Sequence, residues 1–162
     1  MVKENRHQLF LRQYQSGDRE AILGLHYQAL AEAGIHSQNT EHDRDLYNIH
    51  QEYLENQGEF LVATIDNQVI AMGGLCKVNS DTAKIVRMRV HPLWRRQGIG
   101  RALLQALEKK AQQQEYATLI LDTLAVRAAA QQFYVKNGYT EIGREKIQGK
   151  EVVYFEKKIS SW

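Results

Sequence analysis

The chain has one cysteine and one proline among 162 residues, and no apolar run near the roughly 18 residues needed to span a membrane. Cys76 has no second cysteine to bridge to, and no CxxC pair or Cys/His cluster with zinc spacing occurs. A disulfide scaffold is excluded, and a reducing compartment is expected. The first seven residues, Met1 to His7, lack the apolar core of a signal peptide, so a cytoplasmic protein without membrane attachment is expected. With 43% hydrophobic and 25% charged residues, the composition is neither disordered nor fibrous. The length predicts one domain, 1–162, able to bury a core without staples.

The formal net charge of +2 conceals an uneven distribution. Between Glu32 and Phe60 seven acids stand against one base, whereas between Lys84 and Lys110 eight bases stand against one acid. Two blocks of opposite sign suggest two surfaces for two kinds of ligand, set against the plain alternative of two solvated faces.

Periodicity divides the chain into alternating elements. Residues 9–14 read as a short strand, and Ser16-Gly17-Asp18 opens a helix with Ile22, Leu25, Ala29 and Leu30 on one face, ending near Gly34. A polar loop over 35–42 leads to a second helix carrying Leu46, Ile49, Tyr53 and Leu54 towards Gly58. Three antiparallel strands are expected over 60–65, 69–78 and 83–90, with turns at Asp66-Asn67 and at 79–81 and a bulge at Gly73-Gly74. A helix with Ile99, Leu103, Ala106 and Leu107, a strand over 118–121, a helix over 127–137 and strands over 139–146 and 151–158 complete the order β-α-α-β-β-β-α-β-α-β-β. This is an α+β chain with a mixed, mostly antiparallel central sheet flanked by helices.

The most informative stretch joins the strand at 83–90 to the next helix through His91-Pro92-Leu93-Trp94-Arg95-Arg96-Gln97-Gly98-Ile99-Gly100-Arg101-Ala102. Two glycines at a helix start let backbone approach an anion, while the unsatisfied amides and positive dipole end of the helix point at it. Arg95, Arg96 and Arg101 add full charges. A dinucleotide fingerprint would need glycine where Leu103 stands, and a P-loop would need Gly-Lys-Ser/Thr, so neither applies.

On these residues the chain resembles the GNAT superfamily of acetyl-CoA-dependent N-acetyltransferases. Arg95-Arg96-Gln97-Gly98-Ile99-Gly100 matches that family's Arg/Gln-x-x-Gly-x-Gly/Ala signature. Ala128-Ala129-Ala130-Gln131-Gln132-Phe133-Tyr134-Val135-Lys136-Asn137-Gly138-Tyr139 is similar to its second, Ala-rich pattern ending in Tyr-x-Lys-x-Gly-Tyr. The resemblance implies a GNAT-like fold and acetyl-CoA as cosubstrate. It further implies that the amides of Gln97 to Ala102, including those of Gly98 and Gly100, hold the coenzyme A pyrophosphate with help from Arg95, Arg96 and Arg101. Met88 and Val90 would offer main-chain bonds to pantetheine, and an N–H near Val90 would polarise the thioester carbonyl.

Acetyl transfer to an amine needs a neutral nucleophile, an oxyanion donor and a proton for the departing thiolate. Tyr134 is the candidate acid, since a phenol of pKa about 10 can protonate a thiolate whose thiol titrates near 8.5 if the two are held together; packing as a core aromatic is the competing role. The strand over 83–90 lacks the glutamate that many relatives place there, so Glu59, Asp122 or a water chain is left as the base. Arg127 replaces an asparagine that relatives use on the cofactor and is assigned to a coenzyme A phosphate. Arg87 and Arg89 alternate onto one strand face and are assigned to a substrate carboxylate, with an amino acid or peptide amine as acceptor.

His26, His36, His42 and His50 form no compact ligand set, so no metal is expected. The basic block has only Trp94 among its charges, which argues against nucleic acid. The missing carboxylate leaves a catalytically silent acyl-CoA sensor as the alternative function. Monomer and homodimer are not distinguished by the sequence.

Overall fold

In the computed structural model, residues 8–35 and 41–159 are described; His36, several residues of the expected 35–42 loop and the Met1 to His7 stretch lie outside them. Seven strands form one sheet in the order β1-β2-β3-β4-β5-β7-β6. They are β1 (Leu9–Gln13), β2 (Glu59–Ile65), β3 (Gln68–Lys77), β4 (Thr82–Val90), β5 (Thr118–Leu124), β6 (Thr140–Ile147) and β7 (Lys150–Lys158). Every pairing is antiparallel except β4 with β5.

Successive side chains of a strand point to opposite faces, and this distributes the core. On β2, Phe60 and Val62 pack with Ile22, Leu25, Leu46 and Tyr53 on one face, whereas Ala63 and Ile65 pack with Ile99 and Leu103 on the other. Helix α1 (Arg19–Glu32) and the short α2 (Arg44–Tyr47) therefore cover the first face, and α3 (Ile99–Gln113) and α4 (Ala128–Lys136) cover the second. Both two-residue hairpin turns have positive φ at each centre: 52° and 63° at Asp66-Asn67, 51° and 78° at Gln148-Gly149. That twist matches the right-handed twist of the flanking strands.

The structure departs from the sequence reading in two places that matter for the site. The single second helix expected to run towards Gly58 is two pieces, α2 and a π-helical turn over His50–Leu54. Asn48, at φ −137°, breaks the run, and the Asp43 and Asp45 carboxylates turn away to long-range partners described below. Leu46, Ile49 and Tyr53 remain buried, so the apolar spacing survives while the continuous helix does not. Strand β5 also extends three residues beyond the expected 121, because Asp122, Thr123 and Leu124 continue the ladder to Tyr154, Val153 and Val152 of β7.

Candidate functional site

Strands β4 and β5 pair only at Thr82–Thr118, Ala83–Leu119 and Lys84–Ile120. Beyond these residues β5 stays with β7, and the far half of β4, including Met88 and Val90, has no strand on its β5 side. The sheet opens into a V whose near wall is β4 backbone and whose far wall is Asp122–Leu124.

A bulge aims the β4 side chains. The β3–β4 register skips between Met72 and Gly74, and Arg87 takes a φ of +58°, so one extra residue is accommodated on β4. Gly73 makes the space: a Cβ there would sit 2.5 Å from the Met88 sulfur and 3.0 Å from Leu107. Met88 packs with the α3 side of the core, while Arg87 reaches α2 on the opposite face.

The two arginines assigned to a carboxylate meet different fates. Arg87 is consumed by the fold: its Nε and Nη2 donate to the two Asp45 oxygens at 3.0 and 2.6 Å, and Nη2 also donates to the His42 carbonyl. Burial alone would push the Asp45 carboxyl up, but Arg87 and the Tyr53 hydroxyl outweigh it and hold it below the usual range. Beside this pair, Asp43 takes His26 Nε2 at 2.7 Å. Arg89 has no such partner. Its Nη1 donates to the adjacent Met88 carbonyl at 3.1 Å, and its buried Nε has no hydrogen-bond partner. Burial, with the charges of Arg127 and Arg87, lowers the Arg89 guanidinium from 12.5 to about 10.

Arg89 lines a recess of about 190 Å³ in the mouth of the V, together with Leu30, Ile35, Asp122, Thr123, Leu124, Arg127 and Val152. Arg127, the residue before α4, donates to the Ala29 carbonyl of α1 at 3.4 Å. Asp122 Oδ2 pairs with Lys84 Nζ at 2.6 Å. A larger groove of about 340 Å³ between α4 and β6 contains none of the candidate residues.

At the other end of the V, His91 caps a 3-10 turn, Pro92–Trp94, by accepting from the Leu93 N–H. The chain reaches α3 through Arg96 at φ +61° and Gly98 at φ +81°. The first bond inside the helix runs from the Ala102 N–H to the Gly98 carbonyl, 3.0 Å. The Ala102 amide is therefore spent, and those of Ile99, Gly100 and Arg101 are the helix's unsatisfied donors. Gly98 is required by its backbone, with open space around it, whereas a Cβ on Gly100 would make only ordinary contacts of 3.6 Å with Phe133 and Val90. The chain's own packing does not demand glycine at 100. Arg96, Gln97 and Arg101 border this turn and form no ion pair among the described residues. Arg95 differs: it makes a two-pronged pair with Glu32 at 2.6 and 3.0 Å and donates Nε to the Val90 carbonyl at 3.0 Å. The turn, its amides and the V-shaped slot fit a pyrophosphate followed by an extended amide chain.

Tyr134 lies in the core beside Phe133, Tyr139 and Phe155, with its hydroxyl making no hydrogen bond among the described residues. Burial pushes the phenol up to about 12, against the opposing pull of Arg89 and Arg127. Glu59 sits apart from these groups. It opens β2 opposite Leu75, it is 5% exposed, and its oxygens accept from Gln13 Nε2 and the Phe60 N–H, both at 2.9 Å, with Lys110 at 3.7 Å. The geometry therefore gathers Arg89, Arg127 and Asp122 around one recess, with Tyr134 near enough to feel their charges, and sets Glu59 apart from them. Nothing in the local spacing signals this grouping, because its members come from β4, β5 and α4.

A family model for the acetyltransferase (GNAT) family matches residues 25–139. The chain belongs to this family. Human N-acetylaspartate synthetase is 29% identical over 132 residues, covering 76% of this chain and 41% of that protein. The chain spans about half the length of the curated relatives it matches. Among solved structures, a GNAT acetyltransferase from Staphylococcus aureus Mu50 superposes with a TM-score of 0.86 at 20% identity, covering 94% of this chain and 100% of the other. PaiA N-acetyltransferase from Thermoplasma acidophilum, in complex with coenzyme A, gives 0.75 at 20% identity and covers 93% and 99%. No helix among the described residues is long and apolar enough to cross a membrane.

Proposed function

We propose that this GNAT-family chain transfers an acetyl group from acetyl-CoA to a primary amine by direct attack in a ternary complex, with an amino acid or peptide as acceptor. The observation that carries the reading is the parting of β4 from β5 after Lys84 and Ile120, with the amides of 99–101 at one end of the slot. Those amides, with Arg96 and Arg101, hold the pyrophosphate, and the edge of β4 around Met88 and Val90 holds the pantetheine. Acetyl-CoA supplies the activated thioester. A β4 N–H near Val90 receives the charge that develops on the carbonyl oxygen. Tyr134 keeps its proton at any working pH and donates a hydrogen bond to the sulfur as it leaves. No carboxylate stands on β4, so the amine attacks in its neutral form; the proton it loses as the C–N bond forms passes through water to solvent, and coenzyme A leaves as a thiolate that accepts the Tyr134 hydrogen bond before solvent protonates it. Membership of an acetyltransferase family favours this over the silent sensor.

The test is sequential. Acetyl-CoA at a hundred times its Kd is expected to stabilise the protein by about 2.7 kcal/mol. Release of free thiol with a panel of amines then separates enzyme from sensor. A stabilised protein that releases thiol with no amine would establish the sensor instead.

A further inference from the structure

The Arg89–Arg127 recess has features that the transfer reaction alone leaves unexplained. A guanidinium with a desolvated Nε and no anionic partner is an expensive thing to bury. The fold has carboxylates nearby and directs them elsewhere: Asp43 and Asp45 to His26 and Arg87, Asp122 to Lys84, Glu32 to Arg95. A second guanidinium, Arg127, lines the same recess, and neither forms an ion pair among the described residues. Two like charges on one recess repel each other, and an anion between them offsets that repulsion.

We propose that Arg89 and Arg127 form the acceptor's carboxylate clamp, so that the amine substrate is a free amino acid or other small zwitterion. The inference rests on the transfer reading above and names its substrate class. It also moves Arg127 from the cofactor to the acceptor and replaces Arg87 with Arg127 in the clamp. The remaining walls fit the rest of such a molecule. Leu30, Ile35, Leu124 and Val152 offer apolar surface to a side chain. At about 190 Å³ the recess is smaller than the roughly 300–1,000 Å³ of pockets for drug-sized ligands, which suits a carboxylate and the few atoms around it. The charges of Arg89, Arg127 and Asp122 are all felt at Tyr134, which puts the clamp beside the transfer chemistry. The similarity to a relative named for N-acetylaspartate is consistent with an amino acid acceptor.

The probe is a set of N-acetyl amino acids and their C-terminal amides, titrated calorimetrically into the coenzyme A-loaded full chain. The acids are expected to bind and the amides to bind about tenfold to a hundredfold more weakly, the value of a charge-assisted hydrogen-bond pair. Arg127→Ala is the cleaner variant, because its side chain makes no capping bond to α4 and a single 3.4 Å contact to α1. It should erase the preference for acid over amide while coenzyme A stabilises the variant as it does the wild type. Arg127→Lys should restore part of the preference, and Arg89→Met should erase it as well. Amides that bind as tightly as acids, no binding of either, or an acid preference that survives Arg127→Ala would overturn the clamp. The coenzyme A melting shift and thiol release are read separately. A lost shift with retained acid preference removes the transfer reading, whereas an intact shift and turnover without acid preference removes only the clamp.

Discussion

Replacing Tyr134 with phenylalanine tests the proton balance of the proposed reaction. The structure changes what this residue can do, because burial moves the phenol from its usual 10 to about 12. An ordinary thiol titrates near 8.5, so complete transfer of the proton from Tyr134 to a free thiolate runs uphill by about 3.5 units, or roughly 5 kcal/mol. Tyr134 therefore acts as a hydrogen-bond donor to charge developing on sulfur, and a bond to a charged acceptor is worth about 1.5–3 kcal/mol. The expected loss in kcat for Tyr134→Phe is about 10- to 150-fold, at the lower end of what a positioned acid provides. The substitution is structurally mild: the hydroxyl makes no hydrogen bond among the described residues, and the ring contacts with Phe133, Tyr139 and Phe155 are kept. The KM for acetyl-CoA and the coenzyme A melting shift should stay near wild type. The sign of the pH dependence follows from the same shift. The donor form persists below about 12, so an alkaline fall in kcat between pH 8 and 10 belongs to another group and persists in the variant. Stopped-time thiol assays across pH 6–10 check both points. Unchanged turnover in Tyr134→Phe, or an alkaline limb near pH 8–9 that disappears with the hydroxyl, would refute the reasoning.

The remaining tests address the cofactor turn and the buried network. Gly98→Ala forces a side chain onto a φ of +81° and should cost about 1–2 kcal/mol, read as a lower Tm. Gly100→Ala should leave Tm nearly unchanged, because a Cβ there meets nothing closer than 3.6 Å, while the methyl crowds the amides and reduces the coenzyme A shift. Arg95→Ala should alter stability by less than about 1 kcal/mol, since its pair with Glu32 is exposed, so any loss of coenzyme A affinity reports on the cofactor directly. Burial holds the His26 imidazole below its usual 6.5 despite Asp43, so below that pH the unfolded chain binds more protons than the folded one. Stability should therefore fall as pH drops from 7.5 to 5.5, by up to about 1.4 kcal/mol per unit, and His26→Gln should flatten the dependence of denaturation midpoints.

The strands and their turns were legible because they depend on neighbours in sequence: apolar runs on β2 and β3, and turn residues with positive φ at Asp66-Asn67 and Gln148-Gly149. The Gly73-Gly74 irregularity was legible for the same reason, as was the helix start after Gly98. What failed was whatever a distant contact decided. The helix through Leu46 broke because its acids serve Arg87, 42 residues on, and His26, 17 residues back. The left-handed backbone of Arg87 follows from the bulge against β3 and leaves no trace in its own side chain. The contact of Glu59 with Gln13, 46 residues earlier, was likewise out of view.

The two charge blocks show how long-range pairing sorts function from structure. Counted along the chain, they suggested an anion-binding half facing a cation-binding half. In the fold they meet and partly cancel: Arg87 takes Asp45, Arg95 takes Glu32, and Lys110 approaches Glu59, each drawing one partner from either block. Lys84 takes Asp122, from outside the acidic block. Charges that find partners within the chain are satisfied and need no ligand. Arg96 and Arg101 remain at the helix start, and Arg89 remains in the recess, joined there by Arg127. Apart from Lys109, exposed on α3, the residue left after pairing is two separate concentrations of positive charge, as the proposed ternary complex of coenzyme A and a carboxylate-bearing amine requires. The Glu32–Arg95 pair links the C-terminal end of α1 to the cofactor turn, and Arg127 holds the same helix through Ala29. One helix therefore lies against both the cofactor turn and the recess.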